Sequence, residues 1–190
     1  MSPAAAARPV ILAVGTSLTA GYGLDPDDAW PALAQKRIDA AGLPHRIANA
    51  GVSGETSAGA LRRMDWLLRQ PVTIFILETG ANDMLRGQDV AATRSNIDAI
   101  LARARRQVPP PAILLLGMRA APNMGGAYVQ GFGSIYADVA KKHDAVLVPF
   151  FLEGVAGVQR LNQPDGVHPT AEGQKIIAET VWRSLEPLLR

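Results

Sequence analysis

Three side chains of this sequence could together form a nucleophilic site: Ser17, Asp165 and His168. Ser17 follows the apolar run 10–14 and Gly15, a pattern typical of a buried strand that ends in a turn. A serine hydroxyl is a weak nucleophile alone, so it needs a base within hydrogen-bond reach, a group that orients the base, and donors for the oxyanion. Taken singly, Ser17 is more simply interpreted as a turn or helix-capping residue.

His168 is the histidine whose surroundings suit a general base. Asp165 precedes it by three residues, in a segment whose glycine and proline indicate a loop. There the carboxylate can accept a hydrogen bond from one ring nitrogen and fix the tautomer, which leaves the second nitrogen free to accept a proton. The other two histidines, His45 and His143, fall at the start of a predicted strand and at the end of a predicted surface helix.

Two further segments follow predicted strands and could supply oxyanion donors. Gly54 lies in the loop after the second predicted strand, and Asn82 follows Gly80 after the third. Open α/β sheets place their chemistry beyond the carboxyl ends of the strands, so these loops and Ser17 are expected on the same edge. Each has a plainer interpretation, because Gly54 could serve a left-handed backbone conformation and Asn82 with Asp83 could satisfy local backbone donors.

Other chemistries lack the residues they need. The chain has no cysteine, which excludes disulfides, thiolate catalysis and cysteine-ligated metals. The spacing of histidines and carboxylates does not match common zinc sites, so no metal is expected. There is no Gly-x-x-x-x-Gly-Lys phosphate loop, and Gly21 and Gly23 are followed by Pro26 where a dinucleotide site has its third glycine. Neither Ser17 nor Ser53 lies in the Gly-x-Ser-x-Gly elbow of α/β-hydrolases.

The elements that must position these residues alternate along the chain. Short apolar runs predict five strands, at 10–14, 46–49, 72–77, 113–116 and 145–148, and amphipathic stretches predict five helices, at 29–41, 57–68, 90–107, 128–143 and 171–189. Such alternation indicates a parallel sheet covered on both faces by helices. We therefore predict an α/β fold, a three-layer α/β/α sandwich with a five-stranded parallel flavodoxin-like sheet in the order 2-1-3-4-5.

Length and composition indicate a single domain. With 190 residues, 48% of them hydrophobic, the chain is long enough for one well-buried core and short for two. We assign residues 9–190 to this domain and residues 1–8 to a disordered or processed N-terminal tail. The alanine-rich start resembles the end of a signal peptide without its basic and apolar regions. A signal remnant would indicate a periplasmic or secreted protein, and otherwise a cytoplasmic one is expected.

The charge pattern gives no sign of a nucleic-acid partner. Nineteen basic and seventeen acidic residues leave a formal net charge of +2. The one basic cluster, Arg103, Arg105 and Arg106, lies near the end of a predicted helix, where cations complement the helix dipole, and no aromatic residue interleaves with it. No apolar run approaches the ~20 residues that span a bilayer, so stable membrane insertion is not expected.

Together, the four segments resemble the four blocks of the SGNH (GDSL-type) hydrolases. In that family a Ser stands in a Gly-Asp-Ser-Leu turn, followed along the chain by a Gly, an Asn in Gly-x-Asn-Asp and an Asp-x-x-His. The corresponding segments here are Gly15-Thr16-Ser17-Leu18, Gly54, Gly80-Ala81-Asn82-Asp83 and Asp165-Gly166-Val167-His168. Residues 49–57, 77–87 and 148–153 are also similar to the bacterial multifunctional thioesterase/lysophospholipase/arylesterase branch. Thr16 departs from the family's usual Asp, and we expect altered support of the turn with the mechanism intact.

The resemblance implies a carboxylic ester hydrolase that needs no metal or organic cofactor. Ser17 would attack an ester or thioester carbonyl, His168 would transfer its proton to the leaving group, and Asp165 would orient the imidazole. The backbone N–H groups of Ser17 and Gly54 and the side-chain amide of Asn82 would form the oxyanion hole. Expected substrates are small-molecule aryl and short-to-medium acyl esters, with acyl thioesters and lysophospholipids as further candidates.

The acyl pocket is predicted from two segments. Met84 and Leu85 follow Asn82, and the loop from Met118 to Tyr128 lies where family members usually shape the pocket. Flexible methionine and leucine side chains suit aliphatic chains, although each residue could equally pack the core. Two alternative functions stay open, a carbohydrate O-acetylesterase and a non-catalytic ligand-binding protein of the same fold. The presence of all four catalytic residue types argues against the second.

Overall fold

A five-stranded parallel sheet forms the centre of the computed structural model, which describes residues 8–190. Its strands are β1 (Val10–Gly15), β2 (Arg46–Gly51), β3 (Ile74–Glu78), β4 (Ala112–Leu116) and β5 (Val146–Val148). They lie in the order β2-β1-β3-β4-β5, which confirms the predicted flavodoxin-like order. The tail predicted over residues 1–8 falls, apart from Arg8, outside the described residues.

Helices cover the sheet on both faces. Over the described residues these are α1 (Ser17–Ala20), α2 (Trp30–Ala40), α3 (Ser57–Leu67), α4 (Ala81–Leu85), α5 (Val90–Ala104), α6 (Gly126–Lys142) and α7 (Ala171–Leu185). Helices α3, α5 and α6 pack in a row, and α2 packs against α7. All of β3 and five of the six residues of β1 are buried, as expected for strands between two helical layers. The predicted α/β sandwich is thereby confirmed.

Two short helices, α1 and α4, are absent from the sequence prediction. They begin just beyond the ends of β1 and β3 and carry Ser17 and Asn82. Four or five residues are too few to show an apolar period, which is why they were missed. The last long helix also ends early, at Leu185, where Pro187 lacks the N–H that an α-helix needs, and a 3-10 turn continues the chain.

The register of the central strands determines where the site residues emerge. Val14 pairs with Leu77 on β3, and Gly15 pairs with Gly51 on β2. The turns that follow these three parallel strands therefore begin side by side, at the carboxyl ends of the strands. No helix within residues 8–190 has the length and apolar character required to cross a bilayer.

The basic cluster at the end of α5 makes structural contacts. Arg103 donates a hydrogen bond to the carbonyl of Leu61, and Arg105 donates to the carbonyls of His143 and Asp144. Two of the three guanidinium groups thus tie α5 to neighbouring segments. The absence of a nucleic-acid partner stays a prediction.

Candidate active site

Ser17, His168 and Asp165 form a hydrogen-bonded chain, although 151 residues separate the first two. The Ser17 Oγ lies 2.9 Å from His168 Nε2, and His168 Nδ1 lies 2.7 Å from Asp165 Oδ2. Because an ionised carboxylate can only accept, Nδ1 carries the proton and Nε2 can accept the proton of the serine hydroxyl. The structure thus brings the three predicted residues together in the geometry of an activated nucleophile.

The Asp165 carboxylate, which orients the His168 ring, is held by backbone N–H groups of its own loop. Its Oδ1 accepts the backbone N–H groups of Val167, at 2.9 Å, and His168, at 3.0 Å. The His168 backbone N–H, the His168 ring and the Val167 N–H together lower the pKa of Asp165 from 3.8 to about 2, because each favours the charged form. Asp165 is therefore ionised throughout the neutral range.

The turn that carries Ser17 is buried against β3. Thr16 caps α1, accepting the Leu18 N–H on its hydroxyl oxygen, and the same hydroxyl lies 3.0 Å from both carboxylate oxygens of Glu78. Thr16 therefore supports the turn through a hydroxyl, and its partner Glu78 was missed by the sequence reasoning. A signal was present, since Glu78 is the one charged residue of an otherwise apolar strand.

A side chain of helix α7 also contacts the turn that carries Ser17. The Gln174 side chain is buried, accepts the backbone N–H of Trp30 at 2.9 Å and donates to the Leu18 carbonyl at 3.1 Å. One amide thus links the last helix of the chain to α1 and α2. The sequence offered no signal for this contact, because 156 residues separate Gln174 from Leu18.

The expected oxyanion donors belong to the turns after β1, β2 and β3, and Asn82 lines the same cavity as Ser17 and His168. Gly54 has a φ of +77°, the left-handed conformation considered for it, and Asn82 Nδ2 donates to the Glu55 carbonyl at 3.0 Å. That bond uses one of the two amide hydrogens of Asn82. Across residues 8–190, the backbone N–H groups of Ser17 and Gly54 donate to no protein acceptor. Two backbone donors and one amide hydrogen are therefore available to a ligand.

Asp83 anchors the helix that presents Asn82. It is 2% exposed, and its carboxylate accepts both the backbone N–H and the hydroxyl of Ser57 at the start of α3. The interpretation of Asn82 and Asp83 as simple turn residues is therefore wrong for Asp83, whose side chain joins two helices.

A cavity of about 310 Å³ opens beside Ser17 and His168. Its apolar lining includes Met84, Leu85, Met118, Phe150, Leu152 and Val167. Three of the four predicted pocket residues are among them. A lining of this kind can enclose an aliphatic chain next to the hydroxyl.

The fourth predicted pocket residue, Tyr128, does not line this cavity. It lies on α6, where its ring stacks on Phe132 with centroids 6.0 Å apart, and its hydroxyl donates to the Gln88 carbonyl. The prediction followed its position in the loop after β4, but the helix begins at Gly126 and directs the ring against its own next turn.

Two residues that the sequence reasoning missed surround His168. The Tyr22 ring lies against the imidazole, with centroids 4.5 Å apart. Gln163 donates its side-chain amide to the carbonyls of Tyr22 and Pro169, and its backbone N–H to the His168 carbonyl. Gln163 therefore clamps the segment after α1 to the loop that carries the base.

Within the described part of the chain, no group of three or more His, Asp or Glu side chains is arranged to hold a metal ion. That the chemistry needs no cofactor stays a prediction.

Comparisons with known proteins identify relatives of this chain. Residues 13–176 match the GDSL-like lipase/acylhydrolase family. The chain is 42% identical over 185 residues to esterase TesA of Pseudomonas aeruginosa, covering 97% of this chain and 91% of that protein. It is 36% identical over 186 residues to thioesterase 1/protease 1/lysophospholipase L1 of Escherichia coli K12, covering 97% and 87%. The structure of the psychrotrophic esterase EstA from Pseudoalteromonas sp., inhibited by monoethylphosphonate, is similar with a TM-score of 0.88 and 35% identity, covering 95% of this chain and 98% of that one.

Proposed function

The chain belongs to the GDSL-like lipase/acylhydrolase family and is a serine ester hydrolase of that type, and we propose that Ser17 is its nucleophile. The observation that carries the assignment is the hydrogen-bonded chain from Ser17 Oγ through the His168 imidazole to the Asp165 carboxylate. We also propose that residues 9–190 form one domain, because β1 and α7, near its two ends, contribute to one core.

In the first half of the reaction, Ser17 Oγ attacks the carbonyl carbon of the ester and its proton moves to His168 Nε2. The Asp165 carboxylate holds the ring and stabilises the imidazolium. His168 then gives the proton to the departing alcohol as the bond between the acyl carbon and the leaving oxygen breaks. In the second half, His168 takes a proton from water as the water attacks the acyl carbon, and returns that proton to Ser17 Oγ as the bond between the acyl carbon and Oγ breaks and the carboxylic acid leaves.

The negative charge on the carbonyl oxygen needs donors at the moment it forms. The backbone N–H groups of Ser17 and Gly54 and the Asn82 amide are proposed to supply them, since these donors are available and belong to adjacent turns. Loss of one such donor lowers turnover by roughly 100-fold to 1,000-fold in serine hydrolases.

The cavity favours an apolar acyl group. Met84, Leu85 and Met118 line it beside Ser17, so we propose short-to-medium acyl and aryl esters as substrates, with thioesters and lysophospholipids as further ones because a relative bears those names. A carbohydrate O-acetylesterase fits less well, because an acetyl group would leave most of the apolar cavity unfilled.

A series of p-nitrophenyl esters of increasing acyl length tests the proposal. The wild type is expected to gain kcat/KM from acetyl to longer chains until the cavity is filled, and Ser17→Ala is expected to lose turnover. Ser53→Ala is the matched control, because Ser53 follows a different strand and the ring nitrogens of His168 bond to Ser17 and Asp165 instead. Wild-type turnover in Ser17→Ala would refute the nucleophile, and a steep fall beyond acetyl would favour the O-acetylesterase.

A further inference from the structure

Glu78 is a fully buried carboxylate that the proposed mechanism does not use. It lies at the end of β3 with 0% exposure, and no Lys, Arg or His within residues 8–190 pairs with it. Its oxygens accept the Thr16 backbone N–H at 2.8 Å, the Thr16 hydroxyl at 3.0 Å and the Thr19 hydroxyl at 2.9 Å. A charged group is seldom buried without a cation, so these three donors must compensate for its lost hydration.

The contact lies where the two central strands part. The pairing of β1 with β3 ends at Val14 and Leu77. After each strand the backbone turns into a short helix, α1 or α4, that carries a residue of the site. The Thr16 N–H is a backbone donor beyond this ladder, and the Glu78 carboxylate accepts it in place of a backbone carbonyl. The side chain thus continues the connection between the strands after the backbone ladder has ended.

The direction of the hydrogen bonds shows which groups can donate to Glu78. The Thr16 hydroxyl accepts from the Leu18 N–H, and the Thr19 hydroxyl accepts from Trp30 Nε1. Each hydroxyl therefore has its own proton to donate to Glu78. Burial raises the pKa of Glu78 above its ordinary value, and the hydrogen bonds from Thr16 and Thr19, which favour the charged form, offset part of that rise. The three donors converge on the Glu78 oxygens and hold the side chain against the turn.

Gly15 and Thr16 are adapted to this contact. A Cβ at Gly15 would lie 2.1 Å from the Thr19 hydroxyl oxygen and 2.8 Å from Glu78 Oε2, so only glycine allows the approach. An Asp at position 16 would place a second carboxyl beside Glu78, and the two would have to share a proton. Thr16 supplies a hydroxyl donor instead, which gives the departure at this position a physical role.

We propose that Glu78 is a positioning residue whose carboxylate holds the Ser17 turn in register with the strand that leads to Asn82. The inference rests on the proposed roles of Ser17 and Asn82. Thr16 directly precedes the nucleophile, and Glu78 precedes Asn82 by four residues. Displacement of one turn against the other changes the distance between the attacking oxygen and the oxyanion donors, and a shift of about 1 Å can cost on the order of 100-fold in rate.

Four variants test this role. Glu78→Gln replaces one acceptor oxygen by a donor, and Thr16→Val removes the hydroxyl at nearly constant volume. Both are expected to lower kcat by roughly 10-fold to 100-fold with little change in KM, because Glu78 does not line the cavity and valine keeps nearly the volume of Thr16, which does. Thr16→Ser keeps the hydroxyl and is expected to restore most of the turnover that Thr16→Val loses. Thr73→Val is the matched control, since Thr73 joins the same two strands at their opposite ends.

Active-site titration separates positioning from folding. A p-nitrophenyl phosphonate releases one nitrophenolate for each serine that it modifies, which counts the competent sites. A positioning role lowers the rate per titrated site, whereas a purely structural role lowers only the number of sites. If Glu78→Gln does not fold, the Thr16→Val and Thr16→Ser pair decides the question.

Two results would overturn the inference. One is wild-type kcat per site in folded Glu78→Gln, and the other is equal kcat in Thr16→Val and Thr16→Ser. If either result is found while Ser17→Ala is inactive, the role of Glu78 is rejected and the proposed function stands. Wild-type turnover in Ser17→Ala would instead reject the proposed function on which the role of Glu78 rests.

Discussion

The two sides of the proposed catalytic pair lie in different surroundings. Ser17 is 8% exposed and its turn is held by Glu78, a carboxylate in the core. His168 and Asp165 lie in a surface loop, with side chains 20% and 42% exposed, and Asp165 takes its hydrogen bonds from that same loop. The proposed nucleophile is positioned by tertiary burial and the proposed base by local hydrogen bonds. Substitutions on the two sides should therefore divide their effects differently between stability and activity.

The largest expected loss of activity is the same on both sides of the pair. Ser17→Ala and His168→Ala should each lower kcat by roughly a million-fold, and the double variant should lose no more, because the pair acts as one unit. Ester hydrolysis by the three proteins, measured over long incubations, provides the test. Additive losses in the double variant would show that the two residues act separately.

Asp165→Asn tests the loop side next. The amide cannot hold the imidazole in the required tautomer, so kcat should fall roughly 10,000-fold. The melting temperature should change little at neutral pH, because the carboxylate is exposed and its partners belong to its own loop. A large loss of melting temperature would show that this loop supports the fold as well as the chemistry.

A pair of glycine substitutions compares the stability of the two sides. Gly15→Ala forces a methyl group against Thr19 and should cost about 3 kcal/mol of unfolding free energy. In Gly166→Ala the new methyl group has no atom within 4 Å. Its only cost is the left-handed backbone at φ +71°, which should lower the unfolding free energy by about 1 kcal/mol. Urea unfolding measures both, and an equal cost would contradict the contrast in packing.

Tyr22 provides a smaller test of the base. Its ring lies against the His168 imidazole, and an aromatic face stabilises a cation at an exposed site by about 0.5–1 kcal/mol. Tyr22→Leu should therefore lower kcat by about 2-fold to 5-fold, whereas Tyr22→Phe should keep the rate. Steady-state kinetics distinguish them, and equal loss in both would assign the effect to the hydroxyl.

The smallest expected effect is on stability in acid. The pKa of folded Asp165 is about 2, below its ordinary value of 3.8, so its contribution to stability is present above pH 3.8 and is lost as pH falls towards 2. The melting temperature of the wild type should exceed that of Asp165→Asn by a small margin that closes over this interval. A margin that widens on acidification would contradict the assigned shift.

Sequence patterns predicted the sheet because its determinants are local. Apolar runs and punctuation show strands directly, and parallel pairing with right-handed crossovers leaves few possible orders. Asp165 and His168 were predictable for the same reason, since the contacts between them span three residues. Family resemblance then singled out Ser17, Gly54 and Asn82 among residues that had plainer interpretations.

The missed residues depend on distant contacts. Glu78 meets Thr16 across 62 residues, and Gln163 meets Tyr22 across 141 residues. A charged residue at the end of an apolar strand signals a buried site, but no periodic pattern identifies its partner. Tyr128 was predicted to line the pocket because it is close in sequence to the pocket loop. Its position in the sequence does not determine the direction of its ring, which stacks on Phe132 within α6.

The contact of Gln174 with α1 and α2 bears on when the site is completed during protein synthesis. The proposed nucleophile Ser17 is made 151 residues before the proposed base His168, and helix α7, which contacts the Ser17 turn, is made after both. A nascent chain therefore carries a serine without a base, and β1 to β5 leave the ribosome before the chain can hydrolyse an ester. On the proposed mechanism, the order of the residues along the chain leaves an unfinished hydrolase without its base.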